Sequence, residues 1–467
     1  MTLSELPTDI ILDVVKFLEM PDPLSLLLTC SAMYGLSHER SFWISILQTT
    51  RNKYPIACPL HDDLSKYTLE ALKGLIVLWM KLRNNWNQPR PQTVRPMTFA
   101  RLPAPARILL NVQGTDILVL NMEGKIFCWD AKLSTPFLFP AIETGGKVTC
   151  VSGPFEALGV CSLAVEIIAS HSGRTYVITI AHEDKKAIGF TSQFLVHKSR
   201  YRETLFLTGD VVGSISREHN QNHIITFGAA SGDNRHAEFT TVLKPHHSGY
   251  SDYALVSSFA YKGHLYHLYN DGLSARIQHI SQKCLRSGHL EESGVYNFAI
   301  NSSYDEFLDY FFIIPSTPVY GVCAVLVRVE WNDYGVESRV TSFTFMPNAL
   351  THASDDGESS PLAFDSPCVT EHVLGRIVGL TPLVKGLVAV DSGLNVAAVI
   401  QSEPPNSEPP KLVLVRYHLE TRSTSVHTLT VPDTINLFYL DSLCVDDAAG
   451  AIHLLDKSGV LWTLRYI

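Results

Sequence analysis

From Ala106 to Ile467 the chain repeats one unit: a short apolar strand, a turn containing glycine, and a second strand that opens on an aliphatic or aromatic residue. The unit occurs at residues 117–129 across Met122-Glu123-Gly124-Lys125 and at 165–180 across His171-Ser172-Gly173-Arg174. It returns at 260–269 across Lys262-Gly263, at 387–399 across Ser392-Gly393 and at 451–464 across Lys457-Ser458-Gly459. Strands bounded by Gly, Asn and Asp turns are the signature of antiparallel hairpins, and helical periodicity disappears over the same span.

A spacing of roughly 40 to 60 residues over about 360 residues predicts a β-propeller of six to eight blades, seven favoured. A pair of β-sandwiches is the alternative, since both architectures show short strands with regular turns. A propeller ring closes when a strand from one end completes the blade begun at the other, so residues 107–112 and 460–467 are expected to share a blade. Trp129-Asp130 is the only Trp-Asp pair, and no Gly-His dipeptide stands at the offset a WD repeat requires. With those residues the β domain resembles a divergent WD-type propeller. Residues 348–367 and Glu403-Pro404-Pro405-Asn406-Ser407-Glu408-Pro409-Pro410 break the rhythm and read as loops.

The first 105 residues follow a different period. Pro7 suits the first turn of a helix because its missing N–H would be unpaired there, and Asp9 sits near the positive end of the dipole. Ile10, Ile11, Val14, Val15, Phe17 and Leu18 recur at offsets of three and four, giving an apolar face too wide for one neighbour to cover. Asp22 caps a second helix with Pro23 at its first position, Leu24, Leu27 and Leu28 form its buried face, and Gly35 ends it. A third helix carries Phe42, Trp43, Ile46 and Leu47. Three short helices hold more apolar surface than so small a bundle can bury, which leaves surface for a partner. Asp62 or Asp63 is expected to start a further helix that runs through Trp79 and Trp86 to about Asn87, ahead of a Pro-rich stretch at 89–105. The division is therefore a helical docking module at 1–50, a helical and Pro-rich linker at 51–105, and the β domain at 106–467.

The order of features at 3–50 resembles the F-box family. Leu6-Pro7 opens the pattern, the aliphatic helix runs from Ile10 to Leu18, an acidic and Leu-rich segment runs from Asp22 to Leu28, and Phe42-Trp43 closes it. Thr29-Cys30-Ser31-Ala32-Met33-Tyr34 keeps the family's Cys but lacks the basic pair that often follows. The resemblance implies docking of a Skp-type adaptor within a cullin ubiquitin ligase, through Leu6, Pro7, Ile10, Ile11, Val14, Leu18, Leu24, Leu28 and Trp43. The competing reading of the same residues is a structural helical cap on the β domain.

Composition narrows the remaining classes. A net charge of −9 argues against a nucleic-acid partner, which would want a clustered basic face. Nine cysteines without a C-x-x-C pair fit neither a zinc ribbon nor a disulfide scaffold, and a reducing compartment follows. The start is neither a signal peptide nor a transit sequence, so a cytoplasmic or nuclear location is expected. Residues 308–327 are nearly free of charge, yet their Pro315-Ser316-Thr317-Pro318 centre reads as a turn between two strands and not as a membrane span.

No G-x-S-x-G elbow, phosphate-binding G-x-x-x-x-G-K-[ST] loop or H-E-x-x-H motif is present. His219 and His223 have i, i+4 spacing, but Ile224 to Phe227 reads as strand, which removes the helix a metal would need. His246-His247 reads as a solvated loop. Asp446-Asp447 reads as a turn, because neighbours on a strand point to opposite faces. No cofactor or metal is expected. The sequence thus predicts a non-catalytic substrate receptor that holds an unidentified protein target near a ligase; the alternative is a propeller enzyme or small-ligand binder with a structural helical cap.

Overall fold

The computed structural model describes residues 6–93 except 19, 52, 60 and 61, residues 97–197 except 158, 170, 171 and 184, and residues 204–229 except 210, 219 and 220. Beyond these it describes 236–242, 257–261, 264–270, 274–287, 295–299, 308–313, 322–332, 335–345, 368–373, 376–377, 388–390, 394–401, 409–418, 421 and 423–467.

Helix α1 spans Thr8–Val15 and starts directly after Pro7. It is shorter than the apolar ladder predicts. Phe17 and Leu18 donate to the carbonyls of Val14 and Val15 at 3.0 and 3.1 Å, the i→i−3 bonds that tighten and end a last turn. The expected second helix divides into α2 (Asp22–Leu27) and α3 (Ser31–Gly35). The Thr29 hydroxyl donates to the Leu26 carbonyl at 2.8 Å and so takes up one of the acceptors left at the end of α2. Helix α4 (Arg40–Arg51) buries Phe42, Trp43, Ile46 and Leu47, as its spacing requires.

The linker helix α5 spans Leu69–Trp86, later than Asp62 or Asp63 suggests. Thr68 caps it by accepting from the Ala71 N–H at 3.2 Å, while Asp63 caps a separate 3-10 turn at Leu64–Lys66. α5 belongs to two cores at once. Leu72, Leu75, Ile76 and Trp79 pack with Ile11, Val15, Phe42 and Leu47, whereas Leu82 and Trp86 pack with Leu414, Ile452, Leu454, Leu464 and Tyr466 of the β domain.

Seven antiparallel sheets of four or five strands make up the β domain among the described residues. The first contains Ala106–Asn111, Ile117–Met122 and Lys125–Asp130, and the second contains Lys147–Val151, Val160–Ala169, Ser172–Glu183 and Lys186–His197 with Phe155–Ala157 alongside. Inner strands of successive sheets pack side by side: Thr204–Thr208 on Ser257–Tyr261, Leu308–Ile313 on Val388–Val390, Val388–Val390 on Leu440–Asp446, and Leu440–Asp446 on Ala106–Asn111. Sheets arranged inner strand to inner strand form a β-propeller, not a sandwich.

Each of the five repeated units is an antiparallel hairpin. At the first, Glu123 and Gly124 take φ of 50° and 73°, the pair of positive values that a tight two-residue hairpin turn demands. At the second the turn is shorter than predicted, since Ser172 already pairs with Ala169 and Gly173 and Arg174 lie in the strand. Lys262-Gly263 and Ser392-Gly393 lie outside the described residues, as do the loop at 348–367 and residues 402–408 of the Pro-rich insert. Leu308–Ile313 and Val322–Asn332 pair antiparallel, and no helix among the described residues is long and apolar enough to cross a membrane.

The ring closes through a strand the sequence analysis places elsewhere. Val460–Arg465 pairs with Thr98–Arg101, Thr98 opposite Thr463 and Arg101 opposite Val460, while Ala106–Asn111 begins the first sheet instead. The closing strand therefore lies inside the stretch read as linker. Pro103 and Pro105 interrupt pairing between the two strands, so the chain passes there from the last sheet to the first. Leu102 N–H donates to the Gly459 carbonyl at 2.8 Å at the same corner.

Candidate docking surface

The core of the helical module leaves several large apolar side chains uncovered. Ile10, Val14 and Phe17 project from α1 and its last turn, Leu28 from the end of α2, and Tyr34 from α3. Phe17 is 84% exposed and Leu28 82%, values that a globular module gives to few large apolar side chains. Charge around α1 is mainly acidic, with Asp9, Asp13 and Asp22, and Lys16 reaches Asp13 at 2.7 Å in an exposed pair that contributes little.

The nine residues singled out from the sequence separate into three sets. Ile11 and Trp43 are in the module core, where the Trp43 indole N–H donates to the Ser37 carbonyl at 2.9 Å. Leu6, Leu18 and Leu24 are half-buried and pack against that core. Pro7, Ile10, Val14 and Leu28 face outward. Phe17 and Tyr34 join this outward face without being in the predicted set. Phe17 was legible as part of the apolar ladder, but only the early end of α1 turns it away from the core.

Hydrogen bonds around the end of α5 tie the helical module to the ring. Asn85 Nδ2 donates to the Tyr466 and Gln92 carbonyls, and Arg416 Nη1 donates to the Arg83 carbonyl at 3.3 Å. His427 Nδ1 lies 2.7 Å from the Gln88 carbonyl, which makes that nitrogen the donor, so its Nε2 accepts the Ser425 hydroxyl at 2.6 Å. Burial lowers the His427 pKa below its ordinary range, which keeps it in this neutral form. Between module and ring is a cleft lined by Tyr54, Trp79, Arg83, Trp86, Arg416 and Asp447. Arg83 stacks over Tyr54 and Trp79 at 5.4 and 5.3 Å, so the cleft is filled largely by its own cation–π contacts.

Only some of the residues weighed for chemistry are among the described ones. His223 sits on the strand Gln221–Ala229, while His219, His246 and His247 lie outside the described residues. Asp446 ends a strand and Asp447 begins the turn, and their side chains part: Asp447 lines the cleft, and Asp446 points to the Asn111 amide. Among the described residues no three His, Cys, Asp or Glu side chains converge as metal ligands, and the seven cysteines whose side chains are described are free thiols. Burial pushes the Cys58 thiol up to about 11, which leaves it inert at neutral pH.

No family model and no curated protein matches this chain. Among solved structures it is similar to the WD40 domain of SCAP from fission yeast, at 10% identity over 78% of this chain and 85% of that one with a TM-score of 0.36. It is also similar to the Nup133 β-propeller domain of Vanderwaltozyma polyspora, at 10% identity over 80% of this chain and 99% of that one with a TM-score of 0.39. The β domain is a β-propeller by its own sheet arrangement. Its outermost last-sheet strand comes from the N-terminal side of the ring, and the helices precede it.

Proposed function

We propose that this protein is a non-catalytic substrate receptor of a Skp-cullin-F-box ubiquitin ligase. The observation that carries the reading is the set of uncovered apolar side chains Ile10, Val14, Phe17, Leu28 and Tyr34 on a helical module that shares α5 with a propeller. In this reading residues 1–50 are an F-box and bind a Skp-type adaptor, each of the seven sheets is one blade, and the ring presents a face to a protein target. The ligase supplies the chemistry, and the receptor raises the target's effective concentration beside it. A cytoplasmic or nuclear location belongs to the same reading. Calorimetric titration of the full chain with a purified Skp-type adaptor tests it. Saturable binding that Phe17→Asp abolishes supports the receptor, and absence of heat at micromolar concentrations refutes it.

A further inference from the structure

Three sheets meet at the corner where the ring closes, and they bring together side chains far apart in sequence. Asp446 ends the strand Leu440–Asp446 of the last sheet, and Asn111 ends Ala106–Asn111, the first-sheet strand packed against it. Gln113 follows in the next loop, and Glu156 lies on Phe155–Ala157 in the second sheet, opposite Cys161. Asp446, Asn111 and Gln113 are only 1%, 5% and 4% exposed.

Their polar atoms are incompletely used. Asp446 Oδ1 accepts from the Ala449 N–H at 2.7 Å, and Glu156 accepts from the backbone N–H of Gln113. Asp446 Oδ2, Glu156 Oε1, Gln113 Oε1 and both amide atoms of Asn111 are sealed from solvent and have no hydrogen-bond partner among the described residues. The Asn111 amide faces the Asp446 carboxylate. Charge is unbalanced in the same sense, because Asp446 feels both Glu156 and Asp116 while the nearby guanidinium of Arg465 is bonded to Asp116 at 2.7 Å.

Buried carboxylates are ordinarily paired or bound to a metal, and buried amides are hydrogen-bonded. The free oxygens of Glu156 and Asp446 are not bonded to each other, so one proton shared directly between them does not satisfy both. We propose that this corner is a Ca2+ site, with the Glu156 and Asp446 carboxylates and the side-chain oxygens of Asn111 and Gln113 as its protein ligands. The donor set is entirely oxygen, which selects a hard cation over zinc. Ca2+ accepts six to eight oxygens in irregular geometry and takes water for the remainder, whereas Mg2+ demands near-octahedral order. The amides are needed because the carboxylates number only two. Bound there, the ion bridges the first, second and last sheets and fastens the ring where it closes.

The test uses the full-length protein, stripped with EGTA and dialysed, then titrated calorimetrically with CaCl2 and with MgCl2. Thermal unfolding is followed with and without about 5 mM CaCl2, a concentration that covers even weak calcium sites. One-site Ca2+ binding is expected, with a rise in thermal midpoint on the order of 2–4 °C and weaker binding of Mg2+. Glu156→Gln and Asp446→Asn should each lower Ca2+ affinity at least about tenfold, the loss of one charged ligand. Glu156→Gln preserves shape and removes a buried charge, so it decides the matter if Asp446→Asn does not fold. Absence of both heat and midpoint shift in the wild type overturns the site, as does wild-type Ca2+ affinity in Glu156→Gln.

Discussion

Ile10 and Ile11 are adjacent on α1, yet one is 43% exposed on the open apolar face and the other 4% exposed in the module core. The same substitution at each should therefore produce opposite phenotypes. Ile11→Asp forfeits roughly 1.5–3 kcal/mol of side-chain burial and adds the cost of a carboxylate among Phe42, Ile46 and Leu72, for a total of about 4 kcal/mol or more. That is a third or more of the stability of many domains. Ile10→Asp loses less on folding, on the order of 0.5–1 kcal/mol, because the side chain is exposed and outside the module core. In an adaptor interface the same carboxylate is desolvated without a partner, costing on the order of a thousandfold in affinity. Urea unfolding followed by the fluorescence of Trp43 and Trp79, both in the module core, reads the first effect. Calorimetric titration with a Skp-type adaptor reads the second. The reasoning fails if Ile10→Asp shifts the urea midpoint as far as Ile11→Asp does, or if it leaves adaptor affinity unchanged.

Deleting residues 460–467 removes a strand paired on both sides, with Ala451–Asp456 and Thr98–Arg101, so the truncated protein should aggregate; a monomer with an unchanged thermal midpoint contradicts ring closure. Gly459 has φ of 83°, and a Cβ there meets the Ala104 carbonyl oxygen at 2.7 Å, so Gly459→Ala should cost more than about 1 kcal/mol in urea unfolding. A fragment of residues 1–50 lacks Leu72, Leu75, Ile76 and Trp79 from its own core and should show no cooperative unfolding by circular dichroism. Burial holds His267 and His453 down at about 3, against an ordinary value near 6.5. Depressed values favour the neutral form, so this stabilisation is complete above about pH 6.5 and is lost as pH falls toward 3, by about 1 kcal/mol per histidine per pH unit. A urea midpoint that does not fall between about pH 6.5 and 4.5 argues against it.

The hairpins were legible because glycine marks places where the backbone must take positive φ, as Gly124 and Gly459 do, and that requirement is local. Closure was only half legible. Val460–Arg465 reads as a strand from its own residues, but Thr98–Arg101 is four residues long and stands beside prolines, and only its register with Val460–Arg465 makes it one. On α1 the spacing of Ile10, Ile11 and Val14 gives the width of the apolar stripe. Which edge is covered depends on α4, which lies outside that stripe's sequence. Glu156 and Asp446 meet only because the ring returns to its start, and no local pattern records that.

A helix shared by two cores also fixes an angle. α5 runs without interruption from Trp79 in one core to Trp86 in the other, so every residue between them adds about 100° of rotation and 1.5 Å of travel. Inserting a single alanine after Met80 would swing the apolar face of α1 by more than a quarter turn about the helix axis while barely changing its distance from the ring. α5 thus works as a goniometer. Two chains with identical helical modules and identical rings, differing by one residue in this helix, would hold module and ring at different angles.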